Sequence, residues 1–86
     1  MLFITAEGDV EEIKVKDFKE FYALLNCSLV QAIHLPAGRT MWIDEEGKFK
    51  PHARNTFASI LLLNAGGMPD DYVAGAAIIT DKGEIE

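Results

Sequence analysis

The stretch Thr40-Met41-Trp42-Ile43-Asp44-Glu45-Glu46-Gly47-Lys48-Phe49-Lys50, running on through Pro51 to Asn55, decides how the rest of the chain is read. Thr40-Met41-Trp42-Ile43 reads as a short strand. Asp suits the first position of a type I turn and Gly the left-handed residue that follows. Asp44-Glu45-Glu46-Gly47 is therefore a tight acidic turn, with Lys48-Phe49-Lys50 expected to return as the second arm of a hairpin. Asn55 then caps a helix that holds Phe57, Ala58, Ile60, Leu61, Leu62 and Leu63. A helix apolar on nearly every side is expected to be central and covered on most sides. Asn64-Ala65-Gly66-Gly67 stops it.

Upstream, Leu2-Phe3-Ile4-Thr5-Ala6 and the stretch Val10 to Val15 flank the turn residues Glu7-Gly8-Asp9, so residues 2–16 predict a hairpin. Asp17 and Glu20 have capping-box spacing. Phe18, Phe21, Tyr22, Leu24 and Leu25 follow at helical spacing, and Asn26 is a stop. Leu29 to Leu35 predicts another strand, broken by Pro36-Ala37-Gly38. Downstream, Tyr72 to Thr80 predicts a last strand rich in small residues, and Glu84-Ile85-Glu86 is expected to fray. The predicted order is β-β-α-β-β-β-α-β. This is an α+β fold, one domain over residues 1–86, with a mixed or antiparallel sheet carrying two helices.

Composition narrows the function. The chain has 86 residues, 49% of them apolar, and a formal net charge of −6. An acidic balance argues against binding a nucleic-acid duplex, which depends on Lys and Arg to neutralise phosphates. No apolar run approaches the ~20 residues of a membrane span, and no leader segment is read at residues 2–4, where Glu7 and Asp9 follow at once. The single Cys27 has no partner for an internal disulfide, which points to a reducing cytosol. A chain this short buries little alone, and Ala74-Gly75-Ala76-Ala77 offers a close-packing seam, so a homo-oligomer is expected.

Several residues are candidates for chemistry. Lys48, Lys50, His52 and Arg54 recur at every second position, so on an extended strand they would share one face. Such a face next to Asn55 and the amides of a helix start would hold a phosphate or carboxylate. Trp42 is either a stacking platform or core. The acids 44–46 point in different directions and lack the spacing of a calcium loop, so no metal is expected. Nothing in the sequence brings His34 or His52 to Cys27 or Ser59, so no catalytic residue and no cofactor is expected.

The pattern from Val30 to Ile79 resembles the domain-of-unknown-function 3846 family, small proteins of phages, plasmids and bacteria. The resemblance rests on Val30-Gln31-Ala32-Ile33, on Gly38 before a short strand and on Asp44-Glu45-Glu46-Gly47-Lys48-Phe49. It rests also on Asn55 with Ala58-Ser59, and on Val73-Ala74-Gly75. Family members tend to carry Asn where this chain has Ala76. The resemblance implies a phage or mobile-element protein of the bacterial cytoplasm and implies no reaction. Together with the basic run, it leads to the expectation of a non-enzymatic counter-defence protein. That protein would sequester a small anionic, nucleotide-like ligand with Trp42, Lys48, Lys50, Arg54 and Asn55. The alternative is an inhibitor that grips a host protein through the acids Glu11, Glu12, Asp44, Glu45, Glu46, Asp70 and Asp71.

Overall fold

The computed structural model describes residues 1–84, and the fraying expected at Ile85 and Glu86 lies outside them. Strands β1 (Leu2–Ile4) and β2 (Val10–Glu12) form the expected hairpin, with Leu2 opposite Glu12. Its turn is closed by the Thr5 N–H on Asp9 O and by Gly8 at φ +98°, a conformation glycine adopts without steric cost. Helix α1 (Lys19–Leu25) starts one residue later than an Asp17 cap predicts, with Phe18 in the cap position and no capping side chain, while the Glu20 half of the expected box forms. Asp17 Oδ1 accepts the Lys19 N–H, and the Glu20 carboxylate reaches back to the N–H groups of Lys16 and Asp17. Asn26 ends the helix in the left-handed conformation.

Strands β3 (Val30–His34) and β4 (Thr40–Asp44) follow, joined through a 3₁₀ turn at Pro36–Gly38. A second 3₁₀ turn, Gly47–Phe49, leads to β5 (Arg54–Asn55), α2 (Thr56–Asn64), β6 (Val73–Ala74) and β7 (Ala77–Thr80). The main sheet has the order β2-β1-β7-β4-β3 and is antiparallel throughout. The fold is α+β, with one helix on each face of this sheet. Ile4, Met41, Ile43, Ala77 and Ile79 pack with Ala58, Leu61 and Leu62 of α2. The alternate residues Phe3, Trp42 and Ile78 pack with Phe21 and Leu25 of α1. Among the described residues, no helix is long and apolar enough to cross a membrane.

Five expectations change. Lys48-Phe49-Lys50 does not return along β4; it forms the 3₁₀ turn instead. The cause is a close approach: a Cβ on Gly47 would lie 2.6 Å from the Ala74 carbonyl oxygen, so the turn is pressed against β6. The fifth strand therefore leaves the main sheet and pairs with β6 in a small sheet of its own. The last strand is broken at Gly75, at φ +89°, which separates β6 from β7. Finally, α2 is covered on one side only. Ala58 and Ser59 face inward, while Phe57 (47% exposed), Ile60 (54%) and Leu63 (49%) face out. The small residues of the last strand are used inside the chain. Ala74, Gly75 and Ala77 are buried, so they do not form an open seam.

Asn55 joins these parts. It is fully buried, and its Oδ1 accepts the Ala58 N–H while its Nδ2 donates to Ile4 O and Gly75 O. Asn55→Ala strips three hydrogen bonds from buried backbone groups. It should cost roughly 3 kcal/mol, read as a lower urea midpoint at unchanged slope. Gly47→Ala should cost about 1–3 kcal/mol through overpacking. A loss below about 0.5 kcal/mol in either variant, the range of an ordinary surface substitution, would contradict this account.

Candidate functional site

The basic run splits into two pairs that point to opposite sides of the molecule. On the face that carries α2, the cations of Lys48 and Arg54 both lie over the Tyr72 ring, 5.0 and 4.9 Å from its centroid. Lys48 also forms an ion pair with Asp71. That contact and the Tyr72 N–H on Asp71 Oδ1 hold the Asp71 carboxyl below its usual range, the Lys48 bond being the larger cause. Beside them is a cleft of about 240 Å³. Its floor is Ile33, Ile43, Leu62 and Val73, and its rim includes Glu45, Asp71 and Lys48. Acids outnumber cations at this rim.

Lys50 and His52 turn the other way, toward Asp44. Alternation along β4 puts Trp42 and Asp44 on the α1 face. There Asp44 is 4% exposed beneath the C-terminal end of α1. Its Oδ2 meets Lys50 Nζ at 2.9 Å and His52 Nε2 at 3.2 Å, and its Oδ1 accepts the Glu46 N–H at 2.9 Å. Lys50 Nζ also donates to Asn26 O, where a cation complements the helix dipole. Burial works to raise the Asp44 carboxyl. The bonds from Lys50, the Glu46 amide and His52 outweigh it and hold the group below its ordinary value. Lys50 is raised in turn, first by its bond to Asp44. Burial, and then the negative charge of Asp44, push the nearby Cys27 thiol up, which disfavours the nucleophilic thiolate. The His52 ring is packed over Gly75, where a Cβ would come within 3.1 Å of it.

The five residues expected to grip an anion are therefore placed apart. Lys48 and Arg54 are together at Tyr72. Lys50 is committed to Asp44. Asn55 is buried, with its side chain bonded to backbone. Trp42 is half-buried against Phe18 and Phe21, with ring centroids at 5.2 and 5.6 Å, and its Nε1 donates to Thr80 Oγ1. The run 48–54 is not extended, so its alternation does not produce one face. The acids 44–46 also separate: Asp44 turns inward while Glu45 and Glu46 are exposed. Among the described residues, no group of three or more His, Cys, Asp or Glu side chains gathers as metal ligands would. His34 is exposed on β3.

The sequence does not single out Tyr72, and it places Asp44 among the acids of a turn and an outer surface, whereas the structure buries it against cations. Asp44 was legible in principle, because the Trp42/Asp44 alternation extends the α1-facing side of β4 by one residue. Tyr72 carries no such signal, since its partners lie 18 and 24 positions away.

A family model described as a domain of unknown function (DUF3846) matches residues 1–86, and the chain belongs to that family. Comparison with curated proteins and with solved structures finds no match.

Asp44 sets an acid limb to stability. Its folded-state value lies below the ordinary aspartate value of 3.8, so the folded protein binds fewer protons than the unfolded chain in the acid range. The stabilisation is complete above 3.8 and is lost as pH falls through the lower folded value. Urea unfolding from neutrality down to about pH 2 should show that loss. Asp44→Asn should be less stable at neutrality by about 2 kcal/mol and should fall less steeply with acid. Parallel acid limbs in the two proteins would remove Asp44 as the source.

Proposed function

We propose that this protein is a non-enzymatic accessory protein of the bacterial cytoplasm that acts by binding a host protein through the outer face of α2. The observation that carries this reading is the apolar surface left uncovered there. Phe57, Ile60 and Leu63 stand in a stripe at three-residue spacing. Met68 (68% exposed) follows the helix, and Phe49 (89%) projects beside the neighbouring cleft. Ile60 and Leu63 also line a shallow groove with Arg54, Pro69 and Asp71. Scattered apolar side chains are ordinary on a protein surface, but a contiguous group on one element marks an interaction site.

The charges around this face say what partner suits it. Glu45 and Glu46 precede Phe49, and Asp70 follows Met68; all three are exposed. An apolar centre with an acidic rim fits a partner with an apolar groove bordered by Lys and Arg. Of the acids weighed in the sequence, Asp44 and Asp71 are taken up by internal pairs, and Glu11 and Glu12 lie on β2 at the far edge of the sheet. Sequestration of a small anion has less support. Lys48 and Lys50 already have carboxylate partners, and the cleft beside Lys48 has an acidic rim.

The test compares wild type with Ile60→Asp, an exposed position where the fold should tolerate the change. Each is immobilised in host lysate at low and at high salt. The captured protein is identified and then titrated by calorimetry. The expected result is a partner that weakens in high salt and binds Ile60→Asp at least about tenfold less tightly. A partner that binds both forms equally would overturn the reading. So would a nucleotide-like molecule that leaves with the folded wild type and is absent from an Arg54→Glu preparation.

A further inference from the structure

The two edges of the main sheet are unlike. Strand β2, at one edge, carries Glu11 and Glu12 side by side, and a second copy placed against it would meet like charges. Strand β3, at the other edge, has none of the devices that protect an edge. From Leu29 to Leu35 there is no charged residue and no proline. Its five paired residues run in unbroken one-to-one register against β4, without a bulge.

The backbone of β3 shows which of its groups are free. The Glu45 N–H bonds to Leu29 O, and the Leu35 N–H bonds to Arg39 O. Antiparallel ladders alternate with a period of two, so Leu29, Gln31, Ile33 and Leu35 direct their backbone groups toward β4. Val30, Ala32 and His34 direct theirs outward. Among the described residues, no strand lies on that side of β3. The outward N–H and C=O groups are symmetric about Ala32.

We propose that two copies of this chain pair through β3, antiparallel about a two-fold axis at Ala32, to make one continuous sheet. This register makes Ala32 face its own counterpart and sets Val30 opposite His34. All the outward backbone groups of both strands then fall in hydrogen-bonding pairs. The side chains agree with it. Gln31 meets Ile33, and Leu29, 48% exposed in the single chain, meets Leu35, so no like charges face each other. The small Ala32 leaves the axis open for close approach. The pairing uses the backbone edge of β3 and not the stripe Phe57, Ile60 and Leu63 of α2, so it is tested separately from the host-protein reading.

Sedimentation across a range of concentrations and amide hydrogen exchange test the pairing together. Wild type should sediment as a dimer. The amides of Val30, Ala32 and His34, which have no acceptor among the described residues, should be protected like those of interior strands. Ala32→Asp places two carboxylates together at the axis and should weaken the dimer about tenfold or more, while exposed Ala32 leaves the monomer folded. Three results would overturn the proposal. They are a monomer at millimolar concentration, a dimer in which these three amides exchange freely, and protection that appears only when another protein is added. If Ala32→Asp does not fold, the wild-type exchange pattern decides alone.

Discussion

The buried side chain of Asn55 is the constraint on which the rest of the structure depends. An amide with no access to water must find partners for its donors and its acceptor, because an unpaired one costs more than a hydrogen bond returns. Asn55 finds them in three places: the end of β1 at Ile4, the break in the last strand at Gly75, and the first turn of its own helix at Ala58. Ser59 extends the same network. Its hydroxyl donates to Asn55 O at 2.6 Å and accepts the Val73 N–H at 2.9 Å. These bonds fix where α2 starts, which way it turns and where the last strand breaks. The uncovered stripe Phe57, Ile60 and Leu63 follows directly, because Ala58 and Ser59 must face inward for the network to form.

Several of the residues that carry the family resemblance belong to this same network. Gly47 allows the turn to press against Ala74. Asn55, Ala58 and Ser59 hold the helix start. Val73, Ala74 and Gly75 receive those contacts. These residues face the interior and specify the fold, while Gln31, Ala32, Glu45, Glu46, Lys48 and Phe49 of the same pattern are exposed. The buried polar groups there have partners within the chain, and no buried side-chain donor or acceptor among the described residues is left without one.

Local physics was legible where local partners settle the outcome. The first hairpin, the Glu20 bonds at the first helix start, the Asn26 stop and the Asn55 cap all rest on residues within a few positions of each other, and the structure contains each of them. The run from Lys48 to Arg54 was misread because its alternation is a strand signal that distant groups override. Asp71 and Tyr72 draw Lys48 and Arg54 one way, while Asp44 and the end of α1 draw Lys50 and His52 the other. Neither set of partners is visible as a spacing. The coverage of α2 was illegible for a related reason. A helix that is apolar all round does not say which half is buried, and here the hydroxyl of Ser59 made that choice.

Exposed apolar surface is a cost that a domain this small has little margin to carry, since the fraction of surface it buries is low. Leaving Phe49 almost fully in water forgoes about 2 kcal/mol of burial, a sizeable part of the stability of an ordinary domain. The fold had ways to avoid this. The turn at Gly47–Phe49 already presses its glycine against β6, and the cleft lined by Ile33, Ile43 and Leu62 lies beside it. That Phe49 projects outward next to an apolar cleft, with Glu45 and Glu46 keeping the surroundings acidic, is a local choice against stability. Natural sequences make such choices where the surface has a task. The bare edge of β3 is a second case, set against a β2 edge guarded by two glutamates. On the two proposals above, both departures from a self-sufficient fold are places that another chain would cover.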